Sequence, residues 1–186
     1  IFCSICEAVQ HAHEKGVLHR DLKPSNVMVC DEAGKITPKV IDFGIAKASN
    51  NLAVTRTGQI KGKFGYMSPE QIRGEPLDGR ADIYSFGAAC YELVTGRPPF
   101  RGASSQELLE KQIKEKAVSP RIYAPDVTEE FAELVLAMQE KKPENRTPTA
   151  YALLRKLDYV EQVLRGTSEA ATSHGNPNGG TAAPVQ

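Results

Sequence analysis

The chain has 186 residues, 23 basic and 23 acidic side chains, and 40% hydrophobic residues, which suits one domain with its own core. The balanced charge argues against a basic surface built for nucleic acid and against an acidic solvating tail. No apolar run is long enough to span a bilayer, and the first residues show no signal-peptide pattern.

Residues 1–15 place Phe2, Ile5, Cys6, Val9 and Ala12 at helical spacing, and Gly16 is a natural stop. A start inside or right at a helix, without an initiator Met, leads us to expect further residues upstream. Val17-Leu18 and Val27-Met28-Val29 predict short strands on either side of a polar loop. Asp31–Lys35 predicts a hairpin tip, and Pro38–Ile41 the returning strand. Residues 44–66 are polar, rich in hydroxyls and without period. That is long for a connection and predicts a functional or mobile loop.

Residues 80–95 are apolar all round, the pattern of a buried helix, and Gly96 and Pro98-Pro99 end it. Ser104-x-x-Glu107 is a capping box that opens a helix to about Lys116. Phe131, Leu134, Val135 and Met138 form another helical stripe. Thr147-Pro148 reads as N-cap and first residue of a last helix carrying Leu153, Leu154, Leu157, Val160 and Leu164. From Arg165 the sequence has almost no apolar bulk, which predicts a disordered tail over 165–186. The expected body is thus mostly α, with a few short β-strands near its N-terminal end.

Cys3 and Cys6 lie one helical turn apart; Cys30 and Cys90 stand alone. The Cys3-x-x-Cys6 pair has the form of a metal or redox site, yet no second Cys or His pair stands at zinc spacing. Buried, small apolar side chains are the preferred reading, and reduced thiols fit a cytoplasmic location.

The loop itself reads VLHRDLKPSN over residues 17–26 and gathers His19, Arg20, Asp21, Lys23 and Asn26. Alone it is either a solvated turn or a reaction site. Two later features bear on the choice: Asp42-Phe43-Gly44 directly follows the Lys39–Ile41 strand, and Ser68-Pro69-Glu70 closes the long polar segment. The ordered set His19-Arg20-Asp21-Leu22-x-x-x-Asn26, Asp42-Phe43-Gly44 and Pro69-Glu70 resembles the signature of protein kinases. The resemblance runs from residue 1 to about 164. It is to the C-terminal lobe of serine/threonine kinases of the eukaryotic-like type, an α+β family, and Gly65–Gln71 is most similar to the bacterial members.

The resemblance implies a function: transfer of a phosphoryl group from ATP to Ser or Thr hydroxyls of proteins, with Mg2+ as cofactor. Asp21 would accept the proton of the substrate hydroxyl, and Lys23 would place an ammonium on the transferring phosphate. Asn26 and Asp42 would hold Mg2+ as hard oxygen ligands, and Lys23, Asn26, Met28 and Asp42 would together contact the nucleotide. Lys23 within Asp-Leu-Lys-Pro-Ser-Asn resembles the Ser/Thr-specific branch.

The same resemblance puts His19 and Phe43 in a stack resting on the buried helix and makes Asp82 the anchor of the catalytic loop. Glu70 would be the partner of Arg146. Tyr84 stands where the family usually has Trp. Arg20 would await a phosphate on the 42–70 segment, at Thr55 or Thr57 rather than Ser49, which follows Asp42 too soon.

The pattern departs from the family in two places. Gly62-Lys63 stands where many relatives have Gly-Thr, and a Lys there could pair with Asp21 or swing outward. No Gly-x-Gly-x-x-Gly loop and no Val-Ala-x-Lys strand occur in these residues, so the small lobe that covers ATP is missing from them. The chain by itself is expected to bind ATP weakly. Two alternatives stand beside the kinase reading. One is a non-catalytic lobe that binds partners or is a gene remnant. The other is a small-molecule phosphotransferase of related fold, which would lack the Asp-Phe-Gly to Pro-Glu segment.

Overall fold

The computed structural model describes residues 1–43 and 64–173, with side chains described to Arg165. The order of elements is α1 (Phe2–Glu14), β1 (Val27–Glu32), β2 (Lys35–Val40), α2 (Pro69–Arg73), α3 (Gly79–Thr95), α4 (Ser105–Lys114), α5 (Glu129–Met138) and α6 (Ala150–Ser173). The fold is mostly helical with one two-stranded sheet among the described residues. None of the described helices is long and apolar enough to cross a membrane.

Helix α3 is the centre. Every residue from Ala81 to Tyr91 is buried, as expected of a helix that is apolar all round. The Asp78 carboxylate caps its start by accepting the Arg80 N–H, and Gly96 ends it in the left-handed region at φ 70°. Around α3 the core is built from Ile5 and Val9 of α1, Phe131, Val135 and Met138 of α5, and Leu153, Leu157 and Val160 of α6. Helix α1 lies along α6, and Phe2 stacks on Phe131 with ring centroids 5.2 Å apart.

The hairpin forms where expected. Val27 pairs with Val40 and Glu32 with Lys35, and Ala33 and Gly34 turn the chain at positive φ. The Asp31 carboxylate accepts the Gly34 N–H at 2.7 Å.

Three expectations need correction. Val17-Leu18 is not a strand. The Val17 N–H donates to the Ala12 carbonyl and the Gly16 N–H to the His13 carbonyl, a Schellman closure of α1, so the apolar pair belongs to the end of the helix. The cap of α6 is Thr149, not Thr147: Thr149 Oγ1 accepts the Ala152 N–H at 3.1 Å. The Thr147 side chain is instead buried, with its hydroxyl beside Lys156. Third, residues 165–173 are helical rather than part of an unstructured tail, since α6 runs to Ser173. Low apolar content removes packing but not propensity. Glu169, Ala170 and Ala171 extend a helix that is already nucleated. Residues 174–186 of the expected tail lie outside the described residues, as do Ser49, Thr55, Thr57, Gly62 and Lys63.

Candidate active site

The loop between α1 and β1 hangs on one carboxylate. Asp82, in the first turn of α3 and fully buried, accepts the His19 N–H at Oδ2 and the Arg20 N–H at Oδ1, both at 2.7 Å. His13 Nε2 also reaches Oδ2, at 2.8 Å, a contact that no sequence pattern suggested. Arg20 sits at φ 62°, a conformation that a side-chain-bearing residue adopts only when its surroundings hold it there. Two charge-assisted bonds from Asp82 do so on one side. On the other, the Gln71 side chain of α2 donates to the Arg20 carbonyl at 2.9 Å.

His19 is buried and locked at both ring nitrogens. Nδ1 accepts the Asp21 N–H at 3.3 Å and Nε2 lies 3.0 Å from the Ile41 carbonyl, which fits the tautomer protonated at Nε2. Its ring meets that of Phe43 at 4.7 Å, as the stack requires.

The structure brings the expected site residues to one place. Lys23 Nζ lies 3.3 Å from Asp21 Oδ2, both partly buried. Asn26 donates its side-chain amide to the Asp21 carbonyl at 2.8 Å, so its Oδ1 remains the atom suited to a cation. The Asn26 carbonyl accepts the Ile41 N–H at 2.9 Å, which sets Asp42 at the open end of the hairpin beside Asn26. Asp42 is exposed and stands at φ 57°, a second strained residue at the same site. Met28 follows on β1 with 51% of its surface open. Two oxygen donors, Asn26 and Asp42, fit Mg2+, which takes its remaining ligands from water and phosphate. Among the described residues no group of three or more His, Cys, Asp or Glu is placed to hold a metal. Burial pushes the Cys6 thiol up to about 12.

The Arg20 side chain has a buried Nε without a hydrogen-bond partner among the described residues. A buried, unpaired guanidinium nitrogen suits an anion that arrives later.

The closing motif is held as firmly. Arg146 grips Glu70 with two parallel bonds, 2.6 and 2.8 Å, and also donates to the carbonyls of Glu140, Arg80 and Lys141. Burial pushes the Glu70 carboxyl up, but the Arg146 bonds and charge outweigh it and hold the group below its ordinary value. Ser68 and Gln71 complete a capping box at the start of α2.

The family model described as protein kinase domain matches residues 1–173. The chain belongs to the protein kinase family. A probable serine/threonine-protein kinase of Clostridium acetobutylicum is 42% identical over 157 residues, covering 84% of this chain and 23% of that protein. Serine/threonine-protein kinase PknB of Mycolicibacterium smegmatis is 41% identical over 164 residues, 87% of this chain and 26% of that one. The probable PknB of Corynebacterium glutamicum is 39% identical over 180 residues, 94% and 27%. This kinase chain spans about a quarter of the length of the curated relatives it matches.

Other contacts of the kinase chain carried no sequence signal. The Tyr66 hydroxyl donates to Glu92, and the Ser85 hydroxyl donates to the Tyr66 carbonyl at 2.8 Å. Gln71 was legible as part of a motif but not as a brace of the loop.

Proposed function

We propose that this chain is the C-terminal lobe of a serine/threonine protein kinase that transfers the γ-phosphoryl group of ATP to Ser or Thr hydroxyls of proteins. The observation that carries this reading is the loop bonded to Asp82, with Asp21 beside Lys23 and Asn26 bonded to the residue before Asp42. Phosphoryl transfer needs an aligned nucleophile and neutralised phosphate charge more than covalent help.

Asp21 accepts the proton of the substrate hydroxyl and aims its oxygen. Lys23, close enough to orient Asp21, places its charge on the transferring phosphate. Asn26 and Asp42 are the oxygen donors that would hold Mg2+, whose charge offsets that of the phosphates. Met28, apolar and open, offers a surface for the adenine. Arg20 receives a phosphate carried by Thr55 or Thr57. The lid over ATP belongs to the family's small lobe, so residues 1–186 alone transfer little. The free thiols fit a cytoplasmic place for this lobe.

The test is transfer from ATP to a Ser/Thr peptide by the protein as its cells make it, with its intact mass measured first. Asp21→Asn and Asp42→Asn should each lower the rate by roughly 100-fold or more with melting unchanged. Near-native activity in either variant, or activity in EDTA, overturns the assignment.

A further inference from the structure

Gln112 of α4 and Tyr84 of α3 are both fully buried, and neither belongs to the catalytic loop. Gln112 Nε2 donates to the Gly65 carbonyl at 2.5 Å and to the Phe64 carbonyl at 3.2 Å. Gln112 Oε1 accepts the Tyr84 hydroxyl proton. That hydroxyl oxygen in turn accepts from Lys141 Nζ at 3.2 Å. Lys141 lies over the Phe100 ring at 4.1 Å and over the Tyr84 ring at 5.4 Å. Every donor in the row points the same way, from the ammonium to the carbonyls of the Phe64–Tyr66 turn.

The direction has a consequence. A charged donor at the head of a row strengthens the donors after it. A neutral amine has a lone pair and can accept the single Tyr84 proton, which then leaves Gln112 Oε1 without its donor. The two charge states of Lys141 therefore favour different bonding in the row. The turn at its far end adjoins the 44–63 segment. It is bonded through the Tyr66 carbonyl to Ser85, one helical turn from the Asp82 that holds the catalytic loop.

We propose that Lys141, Tyr84 and Gln112 are positioning residues, a one-way hydrogen-bond relay that sets the Phe64–Tyr66 turn beside the catalytic loop according to the charge on Lys141. The groups facing Lys141 are Tyr84 from α3, Arg146 with its partner Glu70, Glu140 directly before it in sequence, and Glu115 at the end of α4. Burial first, and then the Arg146 charge, pull the ammonium down to about 8, against the opposing pull of Glu140 and Glu115. The relay therefore switches in mildly alkaline solution.

Carbon-13 NMR of the full chain tests this without any need for activity. The Phe64 and Gly65 carbonyl shifts should titrate with the Lys141 ε-carbon, with a midpoint near 8. In Lys141→Met both carbonyls should stay flat. In Tyr84→Phe, which cuts the row and keeps the amine, Lys141 should still titrate and the carbonyls should no longer follow. Carbonyls that ignore the Lys141 titration, or still follow it in Tyr84→Phe, overturn the relay. The effect on substrate rests on the function proposed above: Lys141→Met should raise the peptide KM severalfold more than it lowers kcat and remove the alkaline inflection from its pH profile. A KM that does not move overturns the positioning role. These kinetics use the protein as its cells make it; a wild type in that form that transfers no phosphate overturns the proposed function instead and leaves the carbonyl titration to decide the relay.

Discussion

Asp82 binds the backbone of Arg20 at 2.7 Å while Arg20 stands at φ 62°. The loop's strained conformation therefore depends on a carboxylate that belongs to another element. Asp82→Asn keeps the shape but turns one acceptor into an N–H2 donor facing a ring of donors: His19 N, Arg20 N and His13 Nε2. Loss of charge-assisted bonds to a fully buried group should cost about 2–4 kcal/mol, read by urea unfolding. Loop amide resonances from His19 to Leu22 should shift together. A variant with wild-type stability would mean that the loop holds its shape without Asp82.

The Glu70–Arg146 pair makes a prediction with a sign. Glu70→Ala leaves a guanidinium buried against Tyr84, its Cζ 4.8 Å from the ring, and should lose about 3–5 kcal/mol. The folded-state value of Glu70 is depressed, so its contribution is present above the unfolded value of 4.5 and fades as pH falls through the folded one. Wild type should therefore lose ground to Glu70→Gln as pH drops below 4.5, in melting curves recorded side by side. Parallel curves would show that the pair does not hold Glu70 ionised.

What the sequence made legible follows from distance along the chain. The polar loop over 17–26, the hairpin tip and the Gly16 stop are local patterns, and the structure has a loop, a hairpin turn and a helix end at those places. Asp82 and the Glu70–Arg146 pair were legible only because several motifs in order resembled one family. Contacts such as His13 with Asp82 and Gln71 with Arg20 join segments far apart and follow no period, so no window could show them. The choice between Thr147 and Thr149 fails for a different reason. Both flank Pro148, both are good caps, and only burial of the Thr147 side chain decides.

Gly87 marks where α3 and α5 touch. A Cβ there would lie 2.6 Å from Met138 Cβ and 2.9 Å from Gln139 Nε2. Helix propensity favours Gly87→Ala by about 0.5–1 kcal/mol, and overpacking against it costs about 1–3 kcal/mol. Steric cost should win, and the variant should unfold at lower urea. A more stable variant would show that α5 can withdraw by the needed distance.

Lys141 should leave its mark on alkaline stability. Its amine titrates at about 8 in the folded chain against 10.5 unfolded. Between those values the unfolded chain holds a proton that the folded one does not, so this group makes stability rise with pH across that window. Cys and Tyr titrations, with ordinary values of 9.0 and 10.0, also act there, but they are shared with Lys141→Met and largely cancel in the difference. Urea midpoints of the two proteins at several pH values from 7 upward should converge or cross in favour of wild type. A constant gap would show that Lys141 carries the same charge folded and unfolded, and that burial beside Phe100 and Arg146 does not disfavour its ammonium.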